Sequence, residues 1–465
     1  MIVRKFLSSR VLLPIAGVLA ALFLADTAHA VPSYARQTGL SCVDCHMGVP
    51  ALTSRGRMFK LNGFTDADDE IPQKLPPFAV MAEPSFTHTA IGQSGNEESG
   101  FKRNNNFAMS QASIFYSGRL LGPYAKGLFG EKVGGFLNKI GTFVQVTYDG
   151  IGNAWEWDNV EFRYSDSGTV AGQDVTWGVY MNNNPTLQDL WNTLPAWGYP
   201  YSGSGLASTP GAATMIDGAF SQQVGGVGAY AMIARHVYLD VALYRTLGTG
   251  FQKSMGVDPE GEALISGVAP YWRMAYNNTS GKRSYEVGTF GMTARTYPGR
   301  DKSSGKDRTT DFGIDAQIQD TYGKHSFLAM SSLVYENQQL SATKAMGGAS
   351  SSSGHLWTGR LAGEYLYDKT YGFSMGGFYT GGSKDAVLYG DSVNGSPRSD
   401  GVVFELNYLP LALSGGPGFW KASSLKLSIQ YVMYAHFNGR QHNYDGAGTD
   451  ASDNNTLYLQ AWYNF

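Results

Sequence analysis

Thr456-Leu457-Tyr458-Leu459-Gln460-Ala461-Trp462-Tyr463-Asn464-Phe465 alternates without a break. On an extended chain Leu457, Leu459, Ala461, Tyr463 and Phe465 share one side; Tyr458, Gln460, Trp462 and Asn464 share the other. A period of two with one apolar face is a half-buried strand. The pattern recurs upstream. Leu425, Leu427, Ile429, Tyr431 and Met433 oppose Lys426, Ser428, Gln430, Tyr434 and His436, and Val402, Phe404, Leu406 and Tyr408 oppose Glu405 and Asn407. Phe312, Ile314, Ala316 and Ile318 face away from Asp311, Asp315, Gln317 and Gln319. Val237, Leu239, Val241 and Leu243 do the same against Tyr238, Asp240 and Tyr244.

A soluble sandwich or solenoid shares this period, so the connections decide. About sixteen strands are predicted, near 79–90, 106–118, 141–149, 157–166, 173–182, 224–234, 237–246 and 266–277, then 283–295, 309–319, 324–337, 355–367, 370–381, 400–409, 423–437 and 456–465. Long connections (183–223, 247–265, 296–308, 338–354, 382–399, 438–455) alternate with tight turns such as Arg235-His236, Thr321-Tyr322-Gly323 and Asp368-Lys369. Connections 119–140 and 409–422 break the rule, and 150–156 is short for an outer loop. Long outer loops alternating with tight periplasmic turns, an even strand count and a terminal aromatic predict an all-β transmembrane barrel of the bacterial outer membrane, about 16 antiparallel strands around an aqueous lumen. Its expected domain is 76–465, its solvent outer-membrane lipid. Composition agrees: 16% charged, 13% aromatic and 59 glycines, with few helix-rich stretches.

Arg4, Lys5 and Arg10 precede an apolar run from Val11 to Ala25, and Ala28-His29-Ala30 follows. This is the layout of an export signal over 1–30, with the mature chain starting at Val31. Its removal takes Arg4, Lys5, Arg10 and Asp26 and moves the formal charge from −3 to −5. That is too mild for a nucleic-acid partner.

The segment 31–75 carries Ser41-Cys42-Val43-Asp44-Cys45-His46, with the only two cysteines of the chain. Cys-x-x-Cys-His is the attachment signature of a c-type haem: Cys42 and Cys45 form the thioethers and His46 is the proximal iron ligand. A zinc site lacks a second cysteine pair, and a redox dithiol lacks its βαβ setting. The distal ligand stays open. Met47 is too near His46 in the chain. Met58 lies on a predicted helix over Leu52–Leu61 closed by Gly63. If Val80 and Phe86 face lipid, parity turns Met81 inward and His88 outward. Met81 is therefore the distal candidate, beside its ordinary role as packing. Arg36, Arg55, Arg57 and Lys60 make the segment locally basic, either as solvated charges or as partners of haem propionates; Asp66, Asp68, Asp69 and Glu70 read as an acidic linker. Forty-five residues are too few to wrap a haem alone, so the barrel must shelter it.

Three runs carry a family resemblance: Pro32-Ser33-Tyr34-Ala35-Arg36-Gln37-Thr38-Gly39, Phe59-Lys60-Leu61-Asn62-Gly63-Phe64, and 182–201, from Asn182-Asn183-Asn184-Pro185 to Trp197-Gly198-Tyr199-Pro200-Tyr201. The chain resembles the fused outer-membrane monohaem cytochrome c–porins associated with iron-oxidising bacteria. The resemblance implies a haem segment plugging or lining a 16-stranded porin. It also implies electron flow from extracellular Fe(II) to a periplasmic c-type cytochrome by outer-sphere transfer, with no catalytic acid or base. A haem-bearing diffusion porin, a periplasm-facing haem peroxidase and an electron exporter running in reverse are the rival expectations. The 183–223 loop either folds into the lumen or forms an aromatic rim. His236, His325, His355, His436 and His442 are scattered and give no second metal site.

Overall fold

The computed structural model describes residues 32–67, 77–122, 124–218, 220–257, 264–414 and 423–465. The expected signal 1–30 and the acidic residues Asp68, Asp69 and Glu70 lie outside them. Alternating side chains build the wall. Its strands are β1 (Phe78–Thr89), β2 (Asn106–Arg119), β3 (Ile140–Asp149), β4 (Ala154–Val170), β5 (Gln173–Asn182) and β6 (Val224–Ile233). They continue as β7 (Val237–Thr246), β8 (Leu264–Ile265), β9 (Ala269–Ser280), β10 (Arg283–Tyr297), β11 (Asp307–Tyr322) and β12 (His325–Gln339). The last are β13 (Ser353–Tyr367), β14 (Tyr371–Gly382), β15 (Ser399–Tyr408), β16 (Ser424–His436) and β17 (Thr456–Asn464). All pairings are antiparallel. The two-residue β8 only edges β10; the other sixteen strands close on themselves where Met81 meets Asn464 and Thr89 meets Thr456 across β1 and β17.

Parity turns this wall inside out relative to a water-soluble protein. Val80, Ile314, Ile318, Leu406 and Ile429 are exposed on the outside, while Glu83, Arg273, Asp315, Glu405 and Gln430 are buried within. Only a lipid solvent rewards that arrangement, and a closed barrel leaves no unpaired edge in it. The protein is a membrane-spanning barrel of the outer-membrane type. Phe78 and Asn464 lie at one end, which by the rule of short turns is the periplasmic end. The turns Ala171-Gly172, Gly281-Lys282 and Gly323-Lys324 lie there too.

Strand limits differ from the sequence pattern by one or two residues in most places and by three or more at β4, β9 and β11. β4 runs over Ala154–Val170 rather than 157–166, because the β4–β5 hairpin extends past the end of β3, where Ile140 pairs with Tyr164. The strand expected at 266–277 is shifted to Ala269–Ser280; Gly267, at φ 85, turns the chain between it and β8. The irregular connection after β2 carries a helix, Tyr124–Leu137.

Candidate functional site

Residues 32–67 lie inside the barrel as three short helices, α1 (Pro32–Thr38), α2 (Cys42–Cys45) and α3 (Ser54–Leu61). α1 is moored to the periplasmic ends of β1 and β2. Ser33 Oγ donates to the Ser117 carbonyl, Gln37 Nε2 to the same oxygen at 3.0 Å, and Arg36 to the Phe78 carbonyl. Tyr34 packs on Phe59 and Phe64 at ring distances of 4.8 and 5.5 Å. That cluster gives the small segment an apolar centre it could not assemble from aliphatic residues.

The Cys42–His46 turn is held from several sides. Asp44 Oδ2 accepts from Ser41 N at 2.8 Å and from Ser41 Oγ at 2.7 Å. Thr53 Oγ1 donates to the Asp44 carbonyl at 2.6 Å, and Thr53 N to the Cys45 carbonyl at 2.9 Å. Gly56 lets α3 press onto the turn, since a Cβ there would run into the Cys45 carbonyl oxygen. Neither thiol is in a disulfide, and both are half-buried. Burial pushes each of them up to about 11 and pushes His46 down, so all three groups are neutral near pH 7. His46 Nδ1 lies 3.2 Å from the Pro50 carbonyl. Donation to that oxygen fixes the tautomer and leaves Nε2 with its lone pair available.

These side chains border a lumen cavity of about 670 Å³, within the size range of cofactor sites. Its lining runs from Ser424 and Asn464 at the periplasmic end to Asp149 and Ile151 at the opposite end. Among the described residues no group of three or more His, Cys, Asp or Glu is placed to hold a bare metal ion. The two thiols and the imidazole face one cavity without converging on one point. This donor set fits a c-type haem, whose thiol and iron attachment points lie apart on the macrocycle, and it does not fit tetrahedral zinc.

The structure also sorts the distal candidates. Met81 is buried, turned inward and borders the same cavity, and Trp462 Nε1 donates to its Sδ at 2.9 Å. His88 faces outward and meets Asn105 at 2.9 Å, as parity requires. Met58 is exposed and does not border the cavity, and Met47 packs in a separate cluster with Leu328 and Tyr199.

Sequence reasoning underrated two features. First, the loop 183–223 folds into the lumen: Leu187, Gln188, Asp189, Leu190 and Leu194 are each at most 1% exposed. Asp189 turns its carboxylate onto its own loop, accepting from Trp191 N at 3.0 Å and Thr193 N at 2.9 Å, and faces Arg273 at 3.4 Å. Second, two of the segment's basic residues, Arg57 and Lys60, are buried rather than solvated. Arg57 donates to Gln319 Oε1 at 2.7 Å, Ser284 Oγ at 2.8 Å and the Leu52 carbonyl at 2.9 Å. Lys60 Nζ donates to the carbonyls of Leu187 at 2.8 Å and Asp189 at 2.5 Å and lies 4.7 Å from the Trp197 ring centre. Burial lowers the Lys60 ammonium to about 7, against the nearby Glu161, which favours the charge. Arg57 and Lys60 thus tie plug to loop and wall, which overturns the solvated-charge alternative for these two residues. Arg55 lies at the surface, half-exposed, and faces Asp66 at 3.4 Å.

Arg163 of β4 closes the arrangement. Its guanidinium, fully buried, meets Glu161 Oε1 at 2.8 Å, donates to the Lys60 carbonyl at 2.9 Å and lies 4.9 Å from the Tyr230 ring centre. Tyr230 in turn donates to the Leu61 carbonyl at 2.6 Å. The end of α3 is thus held by the barrel wall as well as by its own turn, where Gly63 N donates to the Lys60 carbonyl at 3.1 Å.

No protein-family model matches the chain, and no curated protein does. Among solved structures it is similar to the outer membrane channel DcaP of Acinetobacter baumannii (10% identity, 83% of this chain and 96% of that one, TM-score 0.45). Salmonella typhi OmpF in complex with daunomycin gives 10%, 83%, 97% and 0.45 in the same terms. The anion-selective porin from Comamonas acidovorans gives 10%, 83%, 97% and 0.43. The barrel assignment rests on this chain's own strand pairing and inverted wall, not on these likenesses.

Proposed function

We propose that the protein is an outer-membrane monohaem cytochrome c fused to a porin-like barrel, carrying electrons between extracellular Fe(II) and a periplasmic c-type cytochrome. One observation carries the proposal: the Cys42–His46 turn faces a cavity inside a membrane barrel, with His46 Nδ1 engaged by the Pro50 carbonyl. Residues Cys42 and Cys45 would hold the group covalently and His46 would be its proximal ligand. When bound, a c-type haem supplies a one-electron iron centre. The chain's own residues do the rest. Pro50 orients the imidazole, and Asn192 Nδ2, 3.1 Å from the same carbonyl, binds the inward loop to it. Lys60, Arg57 and Arg163 fasten the plug against the wall. Trp462 holds the Met81 sulfur on the cavity wall, where a thioether ligand would raise the potential.

The apolar belt of an outer membrane is ~25 Å tall. A soluble periplasmic cytochrome cannot cross it, whereas a lumen centre approached from both ends shortens the transfer. Outer-sphere transfer needs no acid or base from the protein. The test is mixing the purified full chain with Fe(II) while following the haem absorbance. Reduction in the wild type is expected, together with loss of covalently bound haem in Cys42→Ser and Cys45→Ser. Covalent haem that Fe(II) fails to reduce would refute the donor and keep the cytochrome. No covalent haem at all would refute both.

A diffusion porin is the second reading, favoured by the closed barrel with its polar interior. Large steady conductance of the wild-type protein in a planar bilayer would select it over a plugged conduit.

A further inference from the structure

We infer that the Tyr124–Leu137 helix, between β2 and β3, is a lipid-embedded foot: it lies in the periplasmic leaflet beside the barrel and contacts acyl chains. This rests on the membrane barrel alone and stands whether or not a haem is bound. The helix belongs to the periplasmic end, since Leu120 N, just before it, donates to the Ile140 carbonyl just after it at 2.8 Å. Gly130, at φ 75 and ψ 170, breaks it in the middle. Gly134 then lets the second half fold onto the first, where a Cβ would strike the Lys126 Cα.

Beside the charged Lys126, Glu131 and Lys132, this folded pair exposes several large apolar side chains. Leu128 is 68% exposed, Phe129 53%, Val133 50% and Phe136 55%. Among its described residues, α4 (Tyr124–Leu137) buries just Ala125 and Gly134, so its large apolar side chains serve no core of the protein. In water such a surface is a liability; contiguous apolar patches of this kind mark a contact.

The outer wall identifies the contact. Phe136 packs on Tyr164 at 5.5 Å between ring centres, and Tyr164 packs on Trp177 at 5.7 Å. Both wall residues project to the lipid side, because their neighbour Arg163 points inward and Trp177 is exposed. Tyr and Trp at a barrel rim form the girdle at headgroup depth. The foot is therefore continuous with the lipid belt and at its periplasmic edge. Lys139, paired with Asp166 at 2.6 Å, and Lys126, paired with Glu131 at 3.1 Å, supply the polar rim that an interfacial helix presents to headgroups.

Phe129→Trp in the full chain is a safe probe, because that side chain is exposed. The variant and the wild type are reconstituted in phosphatidylcholine vesicles with and without bromine on the acyl chains, and the wild-type emission is subtracted. Brominated lipid is expected to reduce the added emission about twofold or more, with shielding from acrylamide, as for a ring buried in the acyl boundary. Added emission that ignores bromine and is quenched by acrylamide would overturn the proposal and leave the face to a soluble partner.

Discussion

Replacing Arg163 by Ala tests how the plug is held. In the docked state the change strands Glu161, 1% exposed, whose carboxylate loses its ion pair at 2.8 Å and keeps one donor, Asn182 Nδ2 at 3.3 Å. Removing one member of a buried pair costs about 3–5 kcal/mol. The hydrogen bond to the Lys60 carbonyl adds ~1–3 kcal/mol. Withdrawal of the plug admits water to Glu161 and relieves the first cost, so both terms favour undocking. The pair alone shifts the docking equilibrium by about two to four powers of ten. Hydrogen exchange reads this shift at the amides of Arg57, Lys60 and Leu61 in vesicle-reconstituted protein. Their exchange should accelerate by about a hundredfold or more, while the amides of β11 to β13 stay unchanged. Glu161→Gln added to the variant removes the stranded charge and should recover part of the protection. Exchange in Arg163→Ala within about threefold of wild type would refute the reasoning. A double variant as labile as the single one would refute the stranded-carboxylate part of it.

Lys60 makes plug docking depend on pH. Its docked ammonium titrates near 7, against about 10.4 when solvated, so the undocked state binds more protons between those values. Docking should strengthen as pH rises from about 7 to about 10, read as growing protease resistance of 32–67, and Lys60→Met should flatten the profile. Asp385 clasps two outer loops. Its carboxylate accepts from Ser350 Oγ at 2.6 Å, Ser351 N at 2.8 Å and Leu388 N at 2.9 Å, donors that hold it well below the usual carboxylate range. The depressed value means that its stabilisation is complete above about pH 4 and persists at about pH 3, where a free aspartate is mostly protonated. Asp385→Ala should cost about 1.5–3 kcal/mol locally and open 341–352 to proteolysis, with little effect on the barrel.

The wall was legible because lipid outside and polar lumen inside write the same alternation into every strand. Met81 and His88 were sorted by parity alone, seven residues apart on one strand. The Cys42–His46 motif is contiguous and so can be read from sequence, whereas its position facing the lumen cavity comes from the fold. What escaped was everything settled by packing across long separations. Nothing near Asp189 announces that Arg273 will meet it, and nothing near Lys60 announces the carbonyls of Leu187 and Asp189. The inward fold of 183–223 follows from such contacts. So does the burial of Arg57 and Lys60, whose sequence context reads as an ordinary basic surface. One signal was available. Gly56, in the middle of a helix, is costly unless another backbone comes close, and the Cys45 carbonyl does.

The mooring of α1 at the periplasmic end has a consequence for assembly. The plug precedes β1 in the chain, and β1 begins at the rim where β17 ends beside it. A stopper tethered at the mouth can be finished while free, then drawn in through the open end as the first and last strands zip together. On the proposed haem reading, attachment at Cys42 and Cys45 precedes seating of the plug, because both thiols face the enclosed lumen cavity once it is docked.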